Sequence, residues 1–319
     1  LNGNDKKTAF LFPGQGSQYV GMARDLFEEF SSVREIFAEA SEILKYDLAE
    51  ACFQGPEEKL KQTSFTQPAI FTHSFVLDMI LKENFFRPAC AAGHSLGEYT
   101  ALVSSGALSF DLALKAIARR SAVMQEDCEK QPGAMAAVIG LQYDGIIGAL
   151  SSAEGIIVPA NYNSPDQIVI SGEKNAVDAS GLKLKEAGAR KVMPLTVAGA
   201  YHSPLMAGSA EIMREYIARM HFGKFEFPVY SNVGAEPVSD GEAFRALLSQ
   251  QILSPVLWYP TMQNMYRDGV RRFVEIGPGR ALQGMVKRSF DDPDIEILGI
   301  DTLDELDLFM NTYARMETE

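Results

Sequence analysis

Gly93-His94-Ser95-Leu96-Gly97 sets a serine between two glycines, in the G-x-S-x-G spacing of a sharp strand-to-helix turn that lifts a serine hydroxyl clear of its surroundings. Glycine at both flanks removes the Cβ atoms that would clash in so tight a bend. Such a turn aims a helix N-terminus, and with it the Leu96 backbone N–H, at the oxygen that becomes negative when the serine attacks a carbonyl. That electrostatic stabilisation is usually the largest single contribution in acyl transfer. The chemistry on offer is a serine-bound acyl intermediate.

A serine hydroxyl is a poor nucleophile until a base takes its proton, and histidine is the usual base. The chain has four histidines. His94 adjoins Ser95, and neighbours on a sharp turn point apart, so it reads as structural. His73 falls on an apolar helical face and reads as a core residue, while His221 precedes a strand and reads as surface. His202, in Gly199-Ala200-Tyr201-His202-Ser203-Pro204, falls on a loop, where catalytic groups concentrate. No acid presents itself as a third member, because Asp166 and Asp178 belong to the inserted segment described next. A backbone carbonyl or an amide side chain can hold the imidazole tautomer instead.

Several elements must position these groups. Ala9 to Phe12 is a short apolar run stopped by Pro13-Gly14-Gln15-Gly16, which reads as a buried strand ending in a tight loop with a helical stretch after it. Pro68 to Leu81 carries apolar residues at helical spacing, and Pro88 to Ala92 gives a strand before Gly93. Met135 to Leu141, Ile156 to Ala160, Gln167 to Ser171 and Lys191 to Leu195 read as strands. Tyr143 to Ser151 and Asn175 to Ala187 read as helices among them. The order β-α-β-β-α-β predicts a ferredoxin-like unit. Beyond His202 the pattern predicts a helix from Pro204 to Met220, a strand around Pro228 to Ser231, a helix from Glu242 to Gln250, and a strand from Arg272 to Ile276 that feeds the Gly277-Pro278-Gly279 turn. That turn lacks the G-K-[ST] ending of a phosphate cradle. The expected fold is α/β: residues 1–131 and 201–319 form a large α/β-hydrolase-like subdomain with a mostly parallel sheet, and residues 132–200 form an inserted small ferredoxin-like (βαββαβ) subdomain.

Composition bounds the rest. The 319 residues are 46% hydrophobic and 22% charged, an ordinary globular balance. The net charge of -13, from 29 basic and 42 acidic residues, argues against a nucleic-acid partner, which needs a basic footprint. Cys52, Cys90 and Cys128 are odd in number and widely spaced, so reduced thiols and no metal site are expected. No apolar run is long enough to span a membrane, and Leu1 to Thr8 lack a signal-peptide pattern. A cytoplasmic location is expected. Leu1 in place of Met suggests a trimmed chain or a removed leader, and a removed leader would allow an organelle lumen.

The chain resembles the malonyl-CoA:acyl carrier protein transacylases. The resemblance runs from Phe12-Pro13-Gly14-Gln15-Gly16-Ser17-Gln18, through Gly93-His94-Ser95-Leu96-Gly97-Glu98-Tyr99, to Glu275-Ile276-Gly277-Pro278-Gly279, and so covers nearly the whole length. It implies Ser95 as nucleophile and His202 as base, with the backbone N–H groups of Gln15 and Leu96 forming the oxyanion hole. Gln251, in Gln251-Ile252-Leu253-Ser254-Pro255-Val256, matches the position whose backbone carbonyl orients the histidine. Arg120, 25 residues after Ser95 in Arg119-Arg120-Ser121-Ala122-Val123-Met124-Gln125, matches the arginine that clamps the free carboxylate of malonate, as a guanidinium's two parallel donors suit it to do. Arg119 reads as a solvated neighbour. Met124, Gln67, Asn161 and Tyr201 are expected among the substrate-binding residues, with Asn163 in the same cleft. Tyr201 stands where this family often has Phe or Ser, and its bulky ring is expected to crowd an α-methyl and favour malonyl over methylmalonyl.

The implied reaction is ping-pong: malonyl passes from malonyl-CoA to Ser95, then to the phosphopantetheine thiol of acyl carrier protein, with no bound cofactor. Because such carriers are usually acidic, as this chain is, docking is expected to use a local basic patch, with Arg190, Lys191, Lys287 and Arg288 as candidates. A monomer is expected. The alternatives are a serine esterase or thioesterase, which passes the acyl group to water and needs no buried cation like Arg120, the trans-acting acyltransferase of a polyketide synthase, and a catalytically silent carrier-docking module, which an intact Ser95 and His202 disfavour.

Overall fold

The computed structural model describes residues 6–314. Its strands are β1 (Lys7–Phe12), β2 (Cys90–Gly93), β3 (Gly133–Ile139), β4 (Ile157–Ser164), β5 (Gln167–Glu173), β6 (Lys191–Pro194), β7 (Val229–Tyr230), β8 (Pro237–Val238), β9 (Val270–Ile276) and β10 (Glu296–Ile300). They form two sheets. The larger has the order β10-β9-β1-β2-β7-β8, parallel throughout except for the antiparallel β7–β8 pair.

A parallel sheet covered on both faces calls for strands that are apolar on both sides. In β1 the period of two divides the burial: Phe10 and Phe12 enter one core with Leu77, Leu102 and Ile117, while Ala9 and Leu11 enter another with Trp258, Met262 and Phe273. The register pairs Leu11 with Ala92 and Phe12 with Gly93, so the loops after β1 and β2 leave the sheet side by side. Ligands of open parallel sheets bind at this carboxyl edge.

The smaller sheet, β4-β5-β3-β6, is antiparallel, the strand order of the ferredoxin-like arrangement. Here too alternation splits the side chains. Ala136, Val138, Ile168 and Ile170 pack with Ile146, Val177 and Leu184 of the helices Tyr143–Leu150 and Lys174–Glu186. Met135, Ala137 and Val169 join the main core. The small sheet therefore lies over the large unit by its second face.

Three elements differ from the sequence expectation. The stretch after β1 stays irregular until the helix Arg24–Glu29, because Gly14, Gly16 and Gly21 favour turns there. β4 runs to Ser164, carrying Asn161 and Asn163 despite asparagine's poor strand propensity. Pairing to β5, interrupted by register shifts, and backbone bonds from Tyr162 N to Val256 O and from Val256 N to Ala160 O overrule that local preference. The helix expected from Pro204 to Met220 divides into a short 3-10 turn, Pro204–Met206, and the helix Ala207–Ile217.

Candidate active site

Ser95 adopts φ 51°, the left-handed region that costs a non-glycine residue about 1 to 3 kcal/mol and persists only where the surroundings enforce it. The enforcement is visible. A Cβ on Gly93 would sit 1.8 Å from the Gly97 carbonyl carbon, and one on Gly97 would sit 2.1 Å from the Phe12 carbonyl oxygen, so only glycine permits the strand-to-helix contact. Asn232, just past β7, pins the turn: Ser95 N donates to its Oδ1 at 2.7 Å and its Nδ2 donates to Gly93 O at 2.7 Å. Leu96 then opens the helix Gly97–Ser104.

His202 also has a positive φ, 56°, and its Nε2 lies 2.8 Å from Ser95 Oγ. Its Nδ1 faces two backbone carbonyls, Gln251 O at 3.1 Å and Ser254 O at 3.0 Å. Carbonyl oxygens only accept, so the proton sits on Nδ1 and the Nε2 lone pair points at the serine. Burial, and after it the Arg120 cation, pull the His202 pKa down to about 3. The imidazole is thus held neutral and ready to accept a proton.

Arg120 follows from helix periodicity. In the helix Phe110–Lys130 the inward positions include Ala113, Leu114, Ile117, Arg120, Met124 and Cys128, one stripe at helical spacing, so Arg120 faces the core while Arg119 is exposed. The guanidinium is 1% exposed. Nη1 donates to Gln67 Oε1 at 2.8 Å, and Nη2 donates to Ser95 Oγ at 3.0 Å and to Gln251 Oε1 at 3.1 Å. Nε is buried without a hydrogen-bond partner. Burial lowers the arginine pKa, yet a guanidinium stays charged in proteins.

One cavity of about 220 Å³ collects Gln15, Gln67, Ser95, Leu96, Arg120, Met124, Asn161, Asn163, Tyr201 and His202, bringing the loops after β1 and β2 against β4 of the small sheet. Gln67 Nε2 lies 4.0 Å from Met124 Sδ, and the Tyr201 and Thr63 hydroxyls are 2.7 Å apart. Gln251 stands behind His202, not on the cavity wall. His94 contacts Asn163 Oδ1 through Nε2 at 2.9 Å and tilts against Trp258, while His73 is fully buried with Nε2 2.8 Å from Asp301 O. The four basic docking candidates lie outside the cavity and are exposed. Arg190 is paired with Asp166 at 2.8 Å, and Arg288 donates to Gln167 Oε1 at 2.9 Å.

Sequence reasoning missed three contributors. Asn232 and the Ser254 carbonyl carry no motif of their own. Glu98 is the acid absent from the sequence reading: it is fully buried, accepting from Asn232 N at 2.7 Å and from Gln251 Nε2 at 2.5 Å. Burial pushes its carboxyl up to about 7, against these two donors, the Arg120 charge and the Ser231 side chain. Its position three residues after Ser95, in the first turn of the elbow helix, was the available signal.

A mostly parallel α/β sheet, a serine on a strained elbow and a neutral histidine on its hydroxyl define the class as a serine acyltransferase or hydrolase. Residues 9–317 match the acyl transferase domain family. The chain belongs to the malonyl CoA-acyl carrier protein transacylase family of such domains. It is 41% identical over 303 residues to a malonyl CoA-acyl carrier protein transacylase of Staphylococcus aureus, covering 94% of this chain and 97% of that one. An acyl carrier protein S-malonyltransferase from Vibrio cholerae has the same fold, with TM-score 0.90, 39% identity, and coverage of 95% of this chain and 99% of that one. A malonyl-transacylase solved in complex with its type II PKS acyl-carrier protein superposes with TM-score 0.92 at 38% identity, covering 96% and 99% of the two chains.

Proposed function

We propose that the chain transfers malonyl from malonyl-CoA to the phosphopantetheine thiol of an acyl carrier protein through a malonyl ester on Ser95. The observation that carries this is the meeting of a base and a buried cation on one oxygen: His202 Nε2 at 2.8 Å and Arg120 Nη2 at 3.0 Å from Ser95 Oγ. A base makes the serine a nucleophile. A buried guanidinium with an unpaired Nε asks for an acceptor, and a substrate carboxylate supplies one.

In the first half-reaction His202 Nε2 takes the Ser95 proton as Oγ bonds to the thioester carbonyl carbon. The backbone N–H groups of Gln15 and Leu96 hold the resulting oxyanion. Collapse breaks the C–S bond, and the proton on Nε2 leaves with the coenzyme A thiolate. In the second half-reaction the carrier thiol gives its proton to His202, attacks the malonyl ester, and Ser95 recovers its hydroxyl. The Gln251 and Ser254 carbonyls hold Nδ1–H throughout and stabilise the imidazolium without the full charge of a carboxylate.

Arg120 favours this reading over a serine esterase or thioesterase, whose acyl pocket needs no cation. Whether the carrier serves fatty acid or polyketide assembly is decided outside the cavity. The resemblance favours fatty acid synthesis, and the malonyl-transacylase solved with its type II PKS acyl-carrier protein supplies the second possibility. We place the protein in a reducing, cytoplasm-like compartment on its three buried free cysteines. Among the described residues no helix is long and apolar enough to cross a membrane.

Intact-protein mass spectrometry after mixing with malonyl-CoA tests the proposal. The expected result is a malonyl adduct on the wild type, absent from Ser95→Ala, that is discharged by a holo acyl carrier protein. Release of free malonate without transfer to the carrier would replace the transferase with a hydrolase.

A further inference from the structure

Glu98 touches neither the cavity wall nor Ser95 Oγ, yet its carboxylate stands at the root of the contacts that fix the serine and the arginine. One branch runs through Asn232. Glu98 Oε1 accepts from Asn232 N at 2.7 Å, and the Asn232 side chain holds Ser95 N and Gly93 O at 2.7 Å each. The other branch runs through the Gln251 side chain, whose Nε2 donates to Glu98 Oε2 at 2.5 Å and to Ser95 O at 2.8 Å, while its Oε1 accepts from Arg120 Nη2 at 3.1 Å.

The direction of the Gln251 amide matters, because an amide can present either its nitrogen or its oxygen to a neighbour. An ionised carboxylate only accepts, so Glu98 admits only the nitrogen. With Nε2 held there and on Ser95 O, Oε1 is left turned toward the guanidinium. We infer that Glu98 is a positioning residue for acyl-group selectivity: by fixing the orientation of the Gln251 amide, it sets the Arg120 guanidinium in the place where it takes a substrate carboxylate.

This deepens the malonyl-transfer reading and rests on it. Glu98→Gln keeps the size of the side chain but cannot serve both donors. The Asn232 N–H is fixed in the backbone and buried, so the new amide oxygen goes to it. The new amide nitrogen then faces Gln251, whose amide must flip, turning Nε2 toward Arg120 as donor against donor. The clamp loses its place. The Asn232 branch, by contrast, acts on the serine alone.

The test measures rates of Ser95 acylation by malonyl-CoA and by acetyl-CoA at pH 8 with the full chain. Wild type, Glu98→Gln and Asn232→Ala are followed by mass spectrometry, with circular dichroism to confirm folding. Glu98→Gln is expected to reduce the malonyl-to-acetyl rate ratio at least tenfold, mainly through a raised KM for malonyl-CoA. Asn232→Ala is expected to slow both donors by the same factor. A Glu98→Gln enzyme that slows both donors equally, or neither, overturns the inference. If Glu98→Gln does not fold, Gln251→Met, which keeps the backbone carbonyl on His202 and cuts the amide link to Arg120, must show the same fall in ratio, and an unchanged ratio there overturns the inference equally. A wild type that forms no acyl-Ser95 from malonyl-CoA would instead sink the malonyl-transfer reading, a result distinct from an acylated wild type with an insensitive ratio.

Discussion

Arg120 Nη2 and His202 Nε2 converge on a single atom, Ser95 Oγ, at 3.0 Å and 2.8 Å. In the proposed mechanism the cation stabilises developing negative charge on that oxygen, and the imidazole removes its proton. A malonyl carboxylate arriving at the guanidinium competes with the serine for the same donor, so carboxylate binding and nucleophile activation share one group. Truncating one partner of a buried charge-assisted pair costs about 3 kcal/mol, roughly a hundredfold in rate. Arg120→Ala is therefore expected to lower kcat/KM for malonyl-CoA about a hundredfold and to bring acetyl-CoA to a comparable rate. Arg120→Lys is expected to recover little, because a lysine is a point charge without the planar fork. Steady-state kinetics with both donors check this, and an undiminished preference for malonyl in Arg120→Ala would remove the clamp from the mechanism.

Two groups bear on the pH dependence of serine reactivity, His202 as the base and Glu98, whose carboxyl is pushed up to about 7. A base works in its neutral form, which predominates above its pKa. Burial and the Arg120 cation hold that pKa at about 3, far below the ordinary histidine value of about 6.5. In Glu98→Gln, which removes the other group that titrates in this range, inactivation of Ser95 by a small neutral sulfonyl fluoride is thus expected to vary by no more than about twofold between pH 8 and pH 5, where an unperturbed histidine would be largely protonated. In Arg120→Ala the second-largest cause is gone, so the acid limb is expected to move to higher pH. A midpoint near 6.5 in Glu98→Gln would mean that water reaches the imidazole.

Some of this site was legible in the sequence for definite reasons. The Ser95 elbow is a local device, and its glycines must stand where Cβ atoms would meet backbone at 1.8 Å and 2.1 Å. Arg120 was legible by resemblance, and the inward stripe of the helix Phe110–Lys130 that buries it was seen only in the structure. The small sheet followed from the β-α-β-β-α-β order of its segments, with alternation in Gln167 to Ser171. What stayed hidden depends on chain segments meeting in space. Asn232 supports Ser95 across 137 residues and Gln251 reaches Glu98 across 153, and neither contact leaves a periodicity. Glu98 was hidden differently, because an acid in the first turn of a helix is ordinary dipole chemistry until the fold buries it.

Tyr201 is placed to limit acyl size in the proposed reaction. Its ring lines the cavity beside Ser95 and Arg120, and its hydroxyl is fixed by Thr63 at 2.7 Å, so the ring cannot swing aside without losing a buried hydrogen bond. Tyr201→Phe keeps the ring and loses only the tether, so methylmalonyl-CoA is expected to remain a poor donor or gain slightly. Tyr201→Ala removes the ring, and one methyl group is worth about 1 to 3 kcal/mol in a pocket. Its methylmalonyl-to-malonyl ratio is expected to rise between about fivefold and a hundredfold. An equal effect of the two substitutions would assign the discrimination to the hydroxyl and not to the ring.

The four basic docking candidates are not equivalent. Lys287 and Arg288 end the helix Ala281–Ser289, whose first turns place Leu282 and Met285 on the cavity wall, so a carrier whose arm enters the cavity passes close to them. Arg190 is already compensated by Asp166 at 2.8 Å, and the Arg288 guanidinium is partly engaged by Gln167. Lys287 and Lys191 therefore offer the freer charge to an acidic carrier. Lys287→Glu is expected to raise the carrier KM severalfold and to flatten its salt dependence, since rim charges act on encounter and are screened by salt. Arg190→Glu is expected to do less, because it also breaks an existing pair. The malonyl-CoA half-reaction, measured alone as acylation of Ser95, should be untouched by either change. Transfer kinetics at two ionic strengths decide the point: a larger effect at Arg190 than at Lys287 would move the docking face from the cavity-side helix to the edge of the small sheet.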